Sequence, residues 1–209
     1  FCPGPITFVL KKKTNSRIHS LVSAKLKTVA IRFPSHPIVR SVLKNINFPL
    51  AMPSANLSTK VSPVCAKDVS DEFKKNIRFI FDGGNSKIGI ESTVVDLTKK
   101  PKIIRPGIIL PHALKKLVKL YVNNENSKIV SPGMLKKHYS PGIPIFLNQK
   151  DSKNGEAFIT FGKKYKNNNN YFNLSKKSDL KEAASNLYRV LRKIKKLKFK
   201  KIYVVKIPK

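Results

Sequence analysis

Short apolar runs alternate with polar and amphipathic segments along this chain of 209 residues. Runs of this length, bounded by Gly, Pro, Ser and Asn, are typical of buried strands rather than of helices. They predict strands over residues 6–10, 28–33, 79–82, 92–97, 102–104, 144–147, 157–161 and 202–205. Strands that alternate with amphipathic segments indicate an α/β or α+β fold.

Four segments have the spacing of apolar residues that an amphipathic helix requires. They begin near Pro37, after Ser62-Pro63, at Pro111 and after Asp179. The last is the clearest, because Asp179 can cap it, Glu182 answers three residues later, and apolar residues recur on one face. The order strand, helix, strand around it predicts a crossover unit of a parallel sheet.

A polar stretch separates the elements into two groups. Residues 122–128 are rich in Asn, and residues 131–141 contain two Ser-Pro pairs, which disfavour a helix. We therefore predict a first domain over 1–121, a linker over 122–142 and a second domain over 143–209. Since Phe1 and Pro3-Gly4-Pro5 lead directly into a strand, we also expect the chain to begin inside a domain and to be a fragment.

The chain is strongly basic, with 43 Lys and Arg against 11 Asp and Glu and a formal charge of +32. A nucleic-acid surface is one explanation, because dense positive charge neutralises phosphates. A compositional bias toward Lys, Ile and Asn is the other, and it is favoured because the lysines are spread over the whole chain. The two cysteines have no metal-ligand spacing and predict reduced thiols in the cytoplasm. The apolar runs are too short for a membrane span.

Two arginines stand at the ends of apolar runs and are candidate ligands for an anion. Thr28 and Arg32 lie four residues apart on one predicted strand and so on the same face. Arg105 ends another run. A guanidinium binds a carboxylate or phosphate through two parallel hydrogen bonds, which makes an arginine informative in a chain that mostly uses lysine. A surface ion pair is the alternative for Arg32.

Small hydroxyl and amide side chains form the other candidate clusters. Ser54, Asn56 and Ser62 can surround a phosphate without crowding it, although Ser62 before Pro63 is also a typical helix N-cap. Ser92 begins a predicted buried strand after Gly89, where its hydroxyl can face a site. The sequence has no phosphate-loop, dinucleotide, zinc or Ser-His-Asp motif. An enzyme built on these residues would position substrates and stabilise charge.

Six motifs, taken in order, resemble those of the YrdC/Sua5 family. They are Pro3-Gly4-Pro5-Ile6-Thr7, Val29-Ala30-Ile31-Arg32, Pro53-Ser54-Ala55-Asn56, residues 89–96, Arg105-Pro106-Gly107 and residues 131–141. The last resembles the linker of the longer, two-domain members, and residues 143–209 resemble the first part of their C-terminal domain. The resemblance implies an α/β fold with a YrdC-like twisted mixed sheet and flanking helices, followed by a partial Rossmann-like α/β domain.

The resemblance also implies an activity, L-threonylcarbamoyladenylate synthesis. Such enzymes convert L-threonine, bicarbonate and ATP into threonylcarbamoyl-AMP and pyrophosphate, usually with Mg²⁺, and a downstream tRNA-modifying threonylcarbamoyltransferase uses the product. Matching motif positions assigns Arg32, Ser54 and Ser92 to L-threonine or its carbamate. It assigns Thr28, Ser54, Ser62, Arg105 and Tyr139 to ATP, with Asn56 as a weaker addition. Tyr139 would reach over the nucleotide from the linker, which would then act as a lid.

Part of the family pattern would precede Phe1, including a basic Lys-x-Arg motif. We therefore expect the 209-residue chain alone to be nearly inactive and its longer parent to be active. Two alternatives remain. One is a YrdC-like module that binds tRNA or double-stranded RNA and makes no adenylate. The other is a carbamoyltransferase-like relative, which the 131–141 motif and the lack of zinc spacing oppose.

Overall fold

The computed structural model describes residues 1–116, 119, 139–166 and 168–208, and the chain forms two compact units. The first unit combines Phe1–Pro53 with Glu91–Lys136, and the second combines Ser54–Ile90 with Lys137–Lys209. The middle segment Ser54–Ile90 thus packs with the C-terminal part of the chain. Most of the predicted linker 122–142 lies outside the described residues, so the boundaries 1–121 and 143–209 stay predictions.

Twelve helices and strands are numbered here in chain order. They are β1 (Ile6–Lys11), β2 (Thr28–Ile31), α1 (Pro37–Lys44), α2 (Ala66–Phe73), β3 (Thr93–Asp96), β4 (Lys102–Arg105), α3 (Pro111–Lys115), β5 (Ile145–Gln149), β6 (Ala157–Thr160), β7 (Tyr171–Asn173), α4 (Leu180–Lys196) and β8 (Ile202–Val205). Two short 3₁₀ helices span Ser20–Ser23 and Lys74–Asn76. Among the described residues, no helix is both long enough and apolar enough to cross a bilayer.

The first unit contains a mixed four-stranded sheet in the order β2-β1-β3-β4. Strand β1 pairs antiparallel with β2 and parallel with β3, and β3 pairs antiparallel with β4. Apolar residues of β1, β3 and the segment after β4 form its core, with Ile6, Val95, Ile109 and Leu114 buried together. The predicted strands at 6–10, 28–33, 92–97 and 102–104 are confirmed, as is a mixed sheet.

The second unit contains a parallel sheet in the order β5-β8-β6-β7. Helix α4 lies on this sheet through its apolar face, which buries Ala183, Tyr188, Leu191 and Ile194. Its predicted cap is present, because the Asp179 carboxylate accepts a hydrogen bond from the Glu182 backbone N–H at 2.7 Å. A parallel sheet with a covering helix is what the Rossmann-like prediction required.

The segment Ser54–Ile90 contributes to the core of the second unit. Val61 and Val64 are buried in one cluster with α4, β6 and β8. Further along the segment, the Ser185 hydroxyl of α4 donates to the Lys87 carbonyl at 2.8 Å. At Gly89 the backbones touch so closely that a Cβ would lie 2.2 Å from the Ser185 carbonyl oxygen. Only glycine fits there, and its φ of +72° is also one that glycine favours.

Local sequence signals were wrong at three places in the second unit. Residues 79–82 form no strand, and the side chains of Phe79 and Phe81 are about three-quarters exposed, at 74% and 75%. Ser62 caps no helix, because α2 begins at Ala66 with Cys65 as its N-cap. Strand β7 was not predicted, since its three residues lie next to a run of asparagines.

Two further predictions are changed in detail. The Glu182 carboxylate does not complete the capping box, because it accepts from the Ser175 hydroxyl at 2.6 Å, and that hydroxyl in turn accepts from the Asp179 N–H. Leu117 and Val118 of the predicted third helix lie outside the described residues. Both cysteines are free thiols.

Candidate functional site

The topology of the first sheet brings Arg32 and Arg105 to the same edge. Arg32 directly follows β2, which runs antiparallel to β1, and Arg105 ends β4, which runs antiparallel to β3. Since β1 and β3 are parallel, the carboxyl ends of β2 and β4 lie beside the amino ends of the two central strands. Gly4 and Ser92, which directly precede those strands, therefore lie at this edge as well.

Each arginine is fastened to the backbone that precedes a central strand. Arg32 donates from Nε to the Gly4 carbonyl oxygen at 3.0 Å. Arg105 donates from Nη2 to the carbonyl oxygen of Ser92 at 2.9 Å and to its Oγ at 3.0 Å. These bonds fix where both guanidinium groups lie, because a planar donor set tolerates little rotation.

A pair of hydroxyl groups lies beside Arg105. The Oγ atoms of Thr7 and Ser92 are 2.7 Å apart and share a hydrogen bond, and Ser92 is buried. Thr7 is on β1 and was quoted in the first motif, but the sequence analysis gave it no role. The parallel pairing of β1 with β3 explains the contact, which no local pattern in the sequence reveals.

Electrostatics distinguishes this edge from an ordinary surface ion pair. The pKa of Arg32 is lowered, first by partial desolvation of the guanidinium and then by the positive charge of Arg105. A cation placed beside another cation in this way lies in a positive potential, which a bound anion relieves. We call Arg32, Arg105, Ser92 and Thr7 the cationic edge, and its chemistry suits a carboxylate or phosphate.

The turn after Arg105 is held tightly against β3. At Gly107 a Cβ would lie 2.5 Å from both the Glu91 carbonyl oxygen and the Thr93 nitrogen. Beyond the turn, the buried Thr93 hydroxyl donates to the Ile109 carbonyl at 2.9 Å and accepts from the Ile109 N–H at 3.0 Å. This packing fixes the end of β4 and with it Arg105.

Thr28 lies away from the cationic edge. It begins β2 and pairs with Lys11 at the far end of β1. Four residues of extended chain separate it from Arg32, about 13 Å at the usual rise of a strand. The same-face prediction from strand spacing therefore does not bring the two side chains together.

The remaining predicted residues lie in the second unit, in the loop 54–62 that precedes α2. Ser54 is exposed. Asn56 donates from Nδ2 to the carbonyl oxygens of Leu57 and Lys60 at 2.9 and 3.1 Å, and Ser62 donates to the Asn56 Oδ1 at 3.3 Å. The Ser62 side chain therefore stabilises the loop rather than a helix start.

Tyr139 belongs to the second unit as well. Its ring stacks on that of Tyr188 in α4, with centroids 5.8 Å apart, and the next residue, Ser140, donates its N–H to the Thr59 carbonyl at 2.8 Å. The end of the segment 131–141 thus contacts both α4 and the loop 54–62. Its residues 131–138 lie outside the described part of the chain.

Arg192 of α4 is the residue that the sequence analysis missed in this unit. Its guanidinium donates to the carbonyl oxygens of Val61 and Ser62 at 2.7 and 3.1 Å, and to the Glu72 carboxylate at 2.8 Å. Only seven of the 43 basic residues are arginines, and this rarity, which made Arg32 a candidate, applies equally to Arg192. Because Arg192 lies within a helix and ends no apolar run, the pattern that points to Arg32 and Arg105 does not point to it.

Among the described residues, no three His, Cys, Asp or Glu side chains are grouped so as to hold a metal ion. Mg²⁺ that travels with a nucleotide needs at most one or two carboxylates, because phosphates and water supply the other ligands. The donors of the cationic edge are cations and hydroxyls, which fit the phosphates of such a complex rather than its metal.

Comparison with known proteins gives two family matches. Residues 1–107 match the family described as "Telomere recombination", and residues 104–209 match "Threonylcarbamoyl-AMP synthase, C-terminal domain". The threonylcarbamoyl-AMP synthases of Bacillus subtilis and Pyrococcus abyssi are 37% and 36% identical to this chain over 153 and 155 residues. Each alignment covers 70% of this chain, with 44% of the first relative and 45% of the second. The chain thus spans about half the length of the curated relatives it matches.

A third relative, the threonylcarbamoyl-AMP synthase of Schizosaccharomyces pombe, is 35% identical over 179 residues, which cover 78% of this chain and 43% of the relative. Among solved structures, the crystal structure of P. abyssi Sua5 complexed with L-threonine superposes with a TM-score of 0.87 at 28% identity. The superposition covers 100% of this chain and 66% of the P. abyssi chain. Residues 1–107 match one family model, and residues 104–209 match the model of the C-terminal domain. The chain therefore belongs to the YrdC/Sua5 family, in the form that carries the additional C-terminal domain.

Proposed function

We propose that the full-length protein is an L-threonylcarbamoyladenylate synthase, which makes threonylcarbamoyl-AMP and pyrophosphate from L-threonine, bicarbonate and ATP. The cationic edge is the observation that carries this proposal. Arg105 lies close enough to Arg32 for its positive charge to lower the pKa of Arg32, and two hydroxyl groups lie beside Arg105. That combination is suited to a small hydroxy acid whose carboxylate needs a guanidinium. The P. abyssi relative has been solved with L-threonine, which agrees with this substrate.

Threonine is assigned to Arg32, Ser54 and Ser92. The Arg32 guanidinium would bind the carboxylate, and the hydroxyl of Ser92 would meet the polar side of the amino acid. The threonine amine adds to bicarbonate with loss of water and gives a carbamate. No protein nucleophile is required for that step, so the residues need only position the two reactants.

ATP is assigned to Thr28, Ser54, Ser62, Arg105 and Tyr139. A carbamate oxygen attacks the α-phosphorus, the bond from the α-phosphorus to the oxygen that bridges it to the β-phosphorus breaks, and pyrophosphate leaves with the electron pair of that bond. Arg105 would neutralise charge that develops on the phosphates, which is the main task of a protein in phosphoryl and nucleotidyl transfer. Mg²⁺ would enter with the nucleotide and neutralise the leaving pyrophosphate.

The test is threonine-dependent release of pyrophosphate by the full-length protein, with the adenylate identified by mass spectrometry. Omission of threonine or of bicarbonate should abolish release. Hydrolysis of ATP that ignores threonine would overturn the proposal. We place the reaction in the cytoplasm, with transfer of the threonylcarbamoyl group to tRNA by a separate enzyme afterwards.

A module that binds tRNA or double-stranded RNA without synthesis is the second candidate, favoured by the formal charge of +32. Its affinity should fall steeply with salt, because each phosphate contact releases a counterion. Binding that persists after Arg32 and Arg105 are replaced by alanine, together with no adenylate, would favour this candidate over the synthase.

A further inference from the structure

The C-terminal helix α4 forms hydrogen bonds with the loop 54–62 through the side chain of Arg192. Three of its hydrogen bonds end within this unit, on the Val61 carbonyl, the Ser62 carbonyl and the Glu72 carboxylate. The side chain is only 14% exposed, so these bonds are largely shielded from water. Hydrogen bonds from a charged, shielded group are about twice as strong as neutral ones.

Two acidic residues of α2 link Arg192 to the backbone at residues 57 and 64. Glu72 bonds Arg192 with one carboxylate oxygen and accepts the Leu57 N–H with the other at 2.6 Å. Asp68 lies 3.8 Å from Arg192 and accepts the Val64 N–H at 3.1 Å. Arg192 therefore holds the backbone directly at residues 61 and 62 and through carboxylates at residues 57 and 64, which lie on either side of Ser62.

The same helix also contacts the other predicted nucleotide residue of this unit. Tyr188 lies one turn before Arg192 on α4 and stacks on Tyr139. A small cavity of about 30 Å³ lies beside Arg192. It is lined by residues of the loop 54–62, by Glu72 of α2, by Ser140 and Pro141, and by residues of α4. Helix α4 thus contacts the Ser62 carbonyl through Arg192 and the ring of Tyr139 through Tyr188.

We propose that Arg192 is a positioning residue for ATP: it orders the part of the loop 54–62 around Ser62, so that Ser62 meets the nucleotide, from a helix in the part of the chain that matches the C-terminal domain. This inference rests on the proposed function. The inference concerns one substrate, because Ser62 is assigned to ATP alone, whereas Arg32 and Ser92, assigned to L-threonine, belong to the other unit.

The experiment compares Arg192→Gln and Arg192→Lys with the control Arg189→Gln in the full-length protein. Arg189 lies one turn away on the same helix, is exposed, and donates to Asn186. Arg192→Gln should raise KM for ATP about tenfold or more, the usual effect of losing hydrogen bonds from a charged group, and leave KM for threonine within about twofold. Lysine keeps the charge but lacks the planar set of donors that reaches two carbonyls and a carboxylate at once, so Arg192→Lys should show the same split.

Two further readouts exclude a loss of fold as the cause. Affinity for a non-hydrolysable ATP analogue should fall by the same factor as KM rises, and amide hydrogen exchange over residues 56–64 should accelerate without a change in β1 to β4. Equal rises in both Michaelis constants would overturn the inference, since that is the mark of a merely structural residue. Unchanged exchange in the loop would overturn it too.

The outcome for the unaltered protein separates this inference from the proposed function. If it binds no ATP analogue, the proposed function fails, and the inference fails with it. If it binds ATP and both Arg192 variants bind equally well, only the inference fails. Should Arg192→Gln not fold, Arg192→Lys alone decides.

Discussion

The two units use arginine in opposite ways. In the first, Arg32 lies near another arginine, and its pKa is lowered by burial and by that second positive charge. In the second, Arg192 lies between two carboxylates, 2.8 Å from Glu72 and 3.8 Å from Asp68. The first arrangement raises the local positive potential, and the second neutralises the positive charge of the arginine within the protein.

The charges around an arginine therefore show more clearly than its residue type whether it is suited to bind a ligand or to stabilise the fold. Negative charge stabilises a pair of neighbouring cations, so such a pair is suited to an anionic ligand. An arginine already matched by carboxylates and carbonyls has little left to offer a ligand, and it stabilises the structure around it. The predictions below test this distinction, beginning with the largest expected effect.

Replacing Arg105 by alanine should cost the most activity. Because Arg105 holds Ser92 and is assigned to the phosphates, Arg105→Ala should lower kcat/KM for adenylate formation about 100- to 1000-fold. Arg40→Ala, on the exposed side of α1, is the control and should change it little. Steady-state pyrophosphate release measures both. Full turnover by Arg105→Ala would remove the cationic edge from the mechanism.

The two kinds of arginine should differ in the sign of their effect on stability. Arg192→Gln leaves the Glu72 carboxylate, 9% exposed, without its cation, and should lower the free energy of unfolding by about 3 kcal/mol. Arg32→Gln relieves a like-charge contact and should leave the thermal midpoint unchanged or slightly higher. Thermal unfolding without ligands measures both. A large loss of stability in Arg32→Gln would contradict the comparison.

Gly89→Ala tests the fit of the segment Ser54–Ile90 on α4. The added methyl group would clash with the backbone of Ser185, and overpacking of this kind costs about 2 kcal/mol. Gly84→Ala is a matched control, because Gly84 has a similar φ of +78° but no atom within 4 Å of the added Cβ. The difference between the two variants in denaturant unfolding isolates the clash from the backbone strain. Equal losses would mean that the segment moves freely at this point.

The smallest expected effect is a loss of stability in acid. The Asp71 pKa is lowered from 3.8, chiefly by its hydrogen bond with Lys196. A carboxyl group with a lower pKa in the folded protein stabilises it above the unfolded value, and this stability is lost as pH falls through the folded value. The thermal midpoint should therefore drop below about pH 4, and less so in Asp71→Asn. Equal pH profiles would show that this exposed pair contributes nothing.

Local patterns predicted the elements whose causes are local. The strand at Ile202–Val205 follows from a short apolar run, and helix α4 follows from an apolar face and an Asp179 cap. Residues 79–82 have the composition of a strand, but no strand within the described part of the chain pairs with them, and they are irregular and exposed. Ser62 has the sequence of an N-cap, but its hydroxyl bonds Asn56 instead. Composition cannot reveal which partner a group finds.

The candidate site was predictable to the extent that each residue ends an apolar run. Arg32, Ser92 and Arg105 have that position, and the structure brings them to one edge. Thr7 and Arg192 could not be found in this way, because their contacts span 85 and about 130 residues of chain. Only the parallel pairing of β1 with β3, and the packing of the segment Ser54–Ile90 on α4, create these contacts.

The insertion of Ser54–Ile90 into the second unit has a consequence for how the protein is made. The carbonyl groups of Val61 and Ser62 meet Arg192 across 131 and 130 residues. A ribosome adds about 5–20 residues per second, so this segment emerges on the order of ten seconds before the helix that completes its packing. During that interval its apolar side chains are without their final cover. Conditions that slow synthesis or occupy chaperones should therefore reduce the yield of this protein through this segment first.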